Sequence, residues 1–132
     1  MKKILLVFIL LSFQACNNNK TETINYDWTG LYLFEDGYDK RYVKIHPDGT
    51  AVFSAEDYFG LIYVINCNTK DKDSIIEIFY KGITVNNIAG HEIIKNEDMP
   101  LYIFSYEHDL LYTQTQFSDP PLEKKYIYFK KQ

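Results

Sequence analysis

Cysteine, histidine and clustered carboxylates are the side chains of this chain best suited to chemistry, and their spacing decides what is open to them. Cys67 is a nucleophile by type, and it alternates with Leu61, Tyr63 and Ile65. That pattern places it on an apolar strand face, where a thiol behaves as a small hydrophobe rather than a reactive group. His46, His91 and His108 lie far apart, without the i, i+2 or i, i+4 spacing that sets two imidazoles on one metal. Glu35-Asp36-Gly37-Tyr38-Asp39 gathers carboxylates in a loop but lacks the alternating Asp/Asn ladder of a Ca²⁺ site. Glu97, Asp98 and the Glu107-His108-Asp109 turn add further negative charge. No Gly-x-Ser-x-Gly, phosphate-cradling glycine loop or His-Glu-x-x-His occurs. No catalytic residue, metal ligand set or cofactor is therefore predicted.

The N-terminus carries a different kind of chemistry. Met1-Lys2-Lys3 is basic, Ile4 to Leu11 is an unbroken apolar run, and Ala15 stands directly before Cys16. This order is that of a secretory signal with a small-residue cleavage position. Phe13-Gln14-Ala15-Cys16 resembles the lipobox of bacterial lipoproteins, and the resemblance implies that Cys16 is acylated and becomes the mature N-terminus. It further implies a leader over 1–15 and, with Asn17 rather than an acidic residue after the cysteine, retention at the outer membrane. Several acyl chains on one residue, palmitate among them, give stable anchoring where one chain is marginal. If Cys16 carries lipid, Cys67 stays a thiol. The alternative is a Cys16–Cys67 disulfide in a secreted form cleaved upstream of Cys16.

Removing Lys2 and Lys3 takes the formal charge from −4 to −6 and leaves 117 residues. That length suits one domain burying about two-thirds of its unfolded surface. An acidic domain without an Arg/Lys cluster is a poor nucleic-acid partner, since phosphate neutralisation dominates that affinity. After the leader no segment reaches the ~18 apolar residues of a membrane span, so attachment rests on Cys16.

The elements that must position these residues read as sheet, because Tyr, Phe, Ile, Val and Thr dominate. Residues 16–25 are polar and form a tether, and the domain occupies 26–132. Trp28 leads into a strand over Leu31–Phe34, ended by the Glu35–Asp39 loop. Arg41–His46 and Thr50–Glu56 form a hairpin across Pro47-Asp48-Gly49, with Ala51, Phe53 and Ala55 on one side. Asp57–Gly60 is a turn, Leu61–Cys67 a strand apolar on both faces, Asn68–Asp73 a polar loop and Ser74–Tyr80 the returning strand. Lys81–Pro100 is a long connection holding a short strand at Gly82–Asn86 and a helical turn or further strand over Ile88–Lys95. Leu101–Tyr106 and Leu110–Thr115 make a third hairpin, Ser118–Pro121 a loop and Lys125–Lys130 the closing strand. The prediction is an all-β fold, a single antiparallel meandering barrel or sandwich of about eight to nine strands.

The Trp28-x-Gly30-x-Tyr32 opening, the successive hairpins and the closing Tyr-x-Phe-Lys strand resemble small lipocalin-like domains, many of which occur as bacterial envelope lipoproteins. Trp28-Thr29-Gly30 inverts the Gly-x-Trp order of true lipocalins, so the architecture carries over and the ligand site does not. The expected activity is binding rather than catalysis, towards an envelope protein or small ligand. The resemblance in size, charge and sheet content to lysozyme inhibitors adds a basic partner, towards which an acidic domain is steered. The residues expected to carry it are Asp36, Asp39, Glu97 and Asp98, on loops displayed by a rigid sheet. Two alternatives stand beside this: a structural or assembly accessory of the outer membrane, and charges that merely keep an anchored domain soluble.

Overall fold

The computed structural model describes residues 26–87, 96–123, 125 and 129–132. The expected leader (1–15), the tether (16–25) with Cys16, His91 and the element over Ile88–Lys95 lie outside them. Among the described residues, eight strands make one antiparallel sheet: β1 Gly30–Asp36, β2 Asp39–Ile45, β3 Thr50–Asp57, β4 Gly60–Lys72, β5 Ile75–Asn86, β6 Tyr102–Glu107, β7 Leu110–Thr115 and β8 Lys130–Lys131. Their spatial order is β7-β6-β5-β4-β3-β2-β1-β8, so every strand but the last lies beside its neighbour in the chain. The sheet curls into a nearly closed barrel, and the described residues contain no helix. The barrel, rather than a sandwich, is the architecture.

Alternation along the strands fills the interior. Val43 and Ile45 of β2, Ala51, Phe53 and Ala55 of β3, Ile65 and Cys67 of β4 and Ile76 and Ile78 of β5 are all buried. This is the period-2 pattern of a sheet with one face in the core. Aromatic rings cross the space between walls. Phe53 meets Tyr102 at 5.0 Å, Tyr102 meets Phe129 at 5.5 Å, Phe129 meets Phe104 at 5.2 Å, and Phe104 meets Tyr32 at 5.1 Å, all tilted or edge-on. Such pairs add roughly 0.5–1.5 kcal/mol each beyond their buried area. The centre of the barrel is thus packed side chain.

The turns follow their residues. Pro47, Asp48 and Gly49 close the β2–β3 hairpin as expected: the Gly49 N–H donates to the His46 carbonyl (3.2 Å) and Gly49 has φ +83°. Asp48 Oδ1 accepts from the Thr50 hydroxyl (2.6 Å) and N–H (2.9 Å), which holds its carboxyl below the usual range.

Four expectations are corrected. Glu35–Asp39 is not an open loop, because Glu35 and Asp36 end β1 opposite Lys40 and Asp39 across a two-residue turn. Asn68–Lys72 is strand, since β4 continues past Cys67 and its ladder with β5 needs no apolar residues once both faces meet solvent. Gly82–Asn86 belongs to β5 rather than forming a separate strand. Leu61 is 39 % exposed instead of sharing the Cys67 face: a bulge pairs Ala55 with Tyr63 but Glu56 with Leu61, and the extra residue Ile62 breaks the alternation. At the C-terminus the described pairing is confined to Lys130 and Lys131, which meet Leu33 and Tyr32 of β1.

Candidate functional site

Because all strands are antiparallel, the connections alternate between two ends of the barrel. The chain enters the sheet at Tyr26–Thr29, at what is here termed the proximal end, shared by the β2–β3, β4–β5 and β6–β7 turns. The β1–β2 and β3–β4 turns and residues 96–101, which lead into β6, lie at the distal end. The structure therefore carries Asp36, Asp39, Glu97 and Asp98 to one end of the molecule. It separates them from the Glu107-His108-Asp109 turn, which closes the proximal end and where Glu107 pairs with Lys125.

Asp36 and Asp39 face each other on the last rung of the β1–β2 hairpin. Between them, Gly37 has φ +59° and Tyr38 does not share that sign, the signature of a type II′ turn with glycine first. Both carboxylates are exposed, and no ion pair to either occurs among the described residues. Their neighbour Glu35 sits 3.5 Å from Lys40 on the previous rung. Two like charges directly opposite one another destabilise a ladder.

Glu97 and Asp98 are also exposed, but their turn is held from beneath. Gln116, 1 % exposed, donates through Nε2 to the carbonyls of Asn96 (3.2 Å), Met99 (3.2 Å) and Pro100 (3.5 Å), and its Oε1 accepts from the Asn96 N–H (3.2 Å). Asn96 Oδ1 accepts in turn from the Asp98 N–H at 2.9 Å. A single buried amide thus satisfies most of the turn's inward-facing backbone. No sequence signal links Gln116 to a turn twenty residues earlier.

Sequence reasoning also missed the aromatic rings beside Asp36 and Asp39. Tyr38, Tyr58 and Phe59 are 73 %, 70 % and 92 % exposed, at the tips of neighbouring hairpins. Tyr38 meets Tyr58 edge-on at 5.2 Å, and Tyr58 meets Phe59 edge-on at 5.5 Å. Asp57 Oδ1 accepts the Phe59 N–H (2.8 Å), and Gly60 with φ +115° completes that turn. The signal was present as two aromatics inside an Asp-x-x-Gly turn, where solvated polar residues are the rule.

Elsewhere, three surface hollows of about 390, 370 and 470 Å³ border His46, which lies between the outer wall and the proximal end. Among the described residues no three of His, Cys, Asp and Glu gather as a metal would require. Cys67 is a free, buried thiol pushed up to about 12 by burial, with its Sγ 3.7 Å from the Ile65 carbonyl. Comparison of the chain with models of known protein families, with curated proteins and with solved structures finds no match.

Proposed function

We propose that the protein is a lipid-anchored envelope lipoprotein of lipocalin-like architecture that works by binding rather than catalysis, and that its distal end takes a basic protein partner. The observation that carries this reading is the Gln116 amide, a buried polar side chain committed to the backbone beneath the exposed Glu97–Asp98 turn. An acidic turn needed only for solubility gains nothing from being held in one shape, whereas a binding loop gains affinity from preorganisation. The packed barrel interior favours a partner met on the surface over an enclosed small molecule. Tyr26–Thr29 lie at the proximal end, so a lipid on Cys16 would attach on that side and leave the distal loops to face away from the anchoring membrane.

The test is a pull-down from solubilised envelope with the intact chain, at low and high salt, beside a Glu97→Lys/Asp98→Lys variant. A stoichiometric basic partner whose capture weakens with salt and with charge reversal, at unchanged melting temperature, supports the reading. A partner indifferent to both leaves the charges as solubilising groups. Fractionation of cells expressing Cys16→Ser checks the anchor, and retention of that variant in the membrane like the unaltered protein overturns it.

A further inference from the structure

The distal end holds a second feature that the acidic turn does not use. The tips at 35–40 and 56–60 contain five carboxylates, Glu35, Asp36, Asp39, Glu56 and Asp57, against one lysine, Lys40. Lys40 is engaged by Glu35, and Asp57 by the Phe59 N–H. Of the other three, Glu56 is half-buried, whereas Asp36 and Asp39 are exposed and opposed on one rung beside three exposed rings held edge-to-face. Aromatic faces carry negative quadrupole charge and attract cations, guanidinium above ammonium because it is planar, stacks and is weakly hydrated. Carboxylates within reach of the same cation would pair with it bidentately. A cation bound there would also relieve the Asp36–Asp39 repulsion.

Resting on the reading of the distal end as a binding surface for a basic protein, we propose that Tyr38, Tyr58, Phe59, Asp36 and Asp39 form a docking site for arginine side chains of that partner. Charge complementarity selects this occupant. The rings alone would equally suit a bilayer interface, but five carboxylates at the same tips oppose burial among lipid headgroups and acyl chains. The rings supply discrimination between arginine and lysine, and the carboxylates supply attraction to both.

The experiment uses the intact chain and fluorescein-labelled nona-arginine and nona-lysine peptides at 150 mM salt. The unaltered protein should bind nona-arginine more tightly than nona-lysine. Tyr58→Ser/Phe59→Ser should lower nona-arginine affinity by about two- to thirtyfold, the range of exposed to desolvated cation–π contacts, and remove the preference. Asp36→Asn/Asp39→Asn should weaken both peptides and flatten their salt dependence. These side chains are exposed, so unchanged melting temperatures verify the fold. If only Glu97→Lys/Asp98→Lys reduces binding, the tip site is wrong and the acidic-turn reading stands. If the unaltered protein binds neither peptide, both fail. Sedimentation of the unaltered protein, but not Phe59→Ser, with phosphatidylcholine vesicles would overturn the proposal in favour of a membrane contact.

Discussion

At the proximal end Trp28 is 4 % exposed, stacked at 5.1 Å on Tyr106, which stacks at 4.6 Å on Tyr26. At the distal end Tyr38, Tyr58 and Phe59 also contact one another, yet stand in solvent. The two clusters use the same chemistry under different connections. Trp28 is tied inward by its Nε1–H to the Asp73 carbonyl (3.3 Å), and its own carbonyl accepts the Tyr32 hydroxyl (2.9 Å). The distal rings project from two-residue turns, with no wall above them among the described residues. Aromatic residues therefore seal one end and are displayed at the other, so ring content by itself says nothing about where the core lies.

The proximal cluster should be most sensitive at Trp28. Trp28→Ala should lose about 3–5 kcal/mol of stability through the cavity and the lost contacts, measured by denaturant unfolding followed by circular dichroism. A loss within 1 kcal/mol would mean that the proximal stack is not structural. Gln116→Ala comes next, at roughly 1–3 kcal/mol, because it strips the Asn96 N–H and the Met99 and Pro100 carbonyls of the Gln116 amide. Faster amide exchange at Asn96 and Asp98 should accompany it, and unchanged exchange would remove Gln116 from its role.

Cys67→Ala should cost about 1 kcal/mol, near the centre of the mutational distribution, and should also alter the pH dependence of stability. The Cys67 thiol moves from an ordinary 9.0 to about 12 in the folded state. Between those values the unfolded chain has released a proton that the native chain keeps, so stability falls as pH rises from 9 towards 12. Burial raises the Tyr32 hydroxyl in the same direction. Cys67→Ala should make the alkaline decline shallower, and an unchanged slope would exclude the thiol as its source. The smallest effect belongs to the distal rings: Phe59→Ser should change stability by no more than ~0.5 kcal/mol. A larger loss would place Phe59 in the core.

The sequence carried the sheet clearly where burial alternates with exposure. Ala51, Phe53 and Ala55 beside a Pro-Asp-Gly turn marked both a hairpin and its inner face. Legibility failed where the backbone ladder alone maintains a strand, as at Asn68–Lys72, whose polar side chains have the composition of a loop. It failed again where an inserted residue changes the face, as at Leu61, because a bulge leaves no mark in composition. The acids of the candidate site could be named individually, and their common placement at one end follows once the strands are known to alternate. The support under Glu97 and Asp98 could not be foreseen, since Gln116 reaches it only through the fold.

The strand order has a consequence for how the barrel assembles. Among the described residues, seven strands pair with chain neighbours, while β8 crosses back, setting Leu33 against Lys130. Six of the seven ladders therefore bring together segments consecutive in the chain, and each needs only a modest loop to close. The seventh must close a loop of roughly a hundred residues, a larger entropic demand, although that demand grows only logarithmically with length. Its described rungs are two, reinforced by the Lys131 ammonium donating to the Asp27 carbonyl (2.7 Å) and the Gln132 N–H to the Leu31 carbonyl (2.9 Å). Among the described residues the β1–β8 seam is thus where the sheet depends on the far end of the chain. Non-local pairings of this kind slow folding, so the hairpins should zip early and the seam should join last.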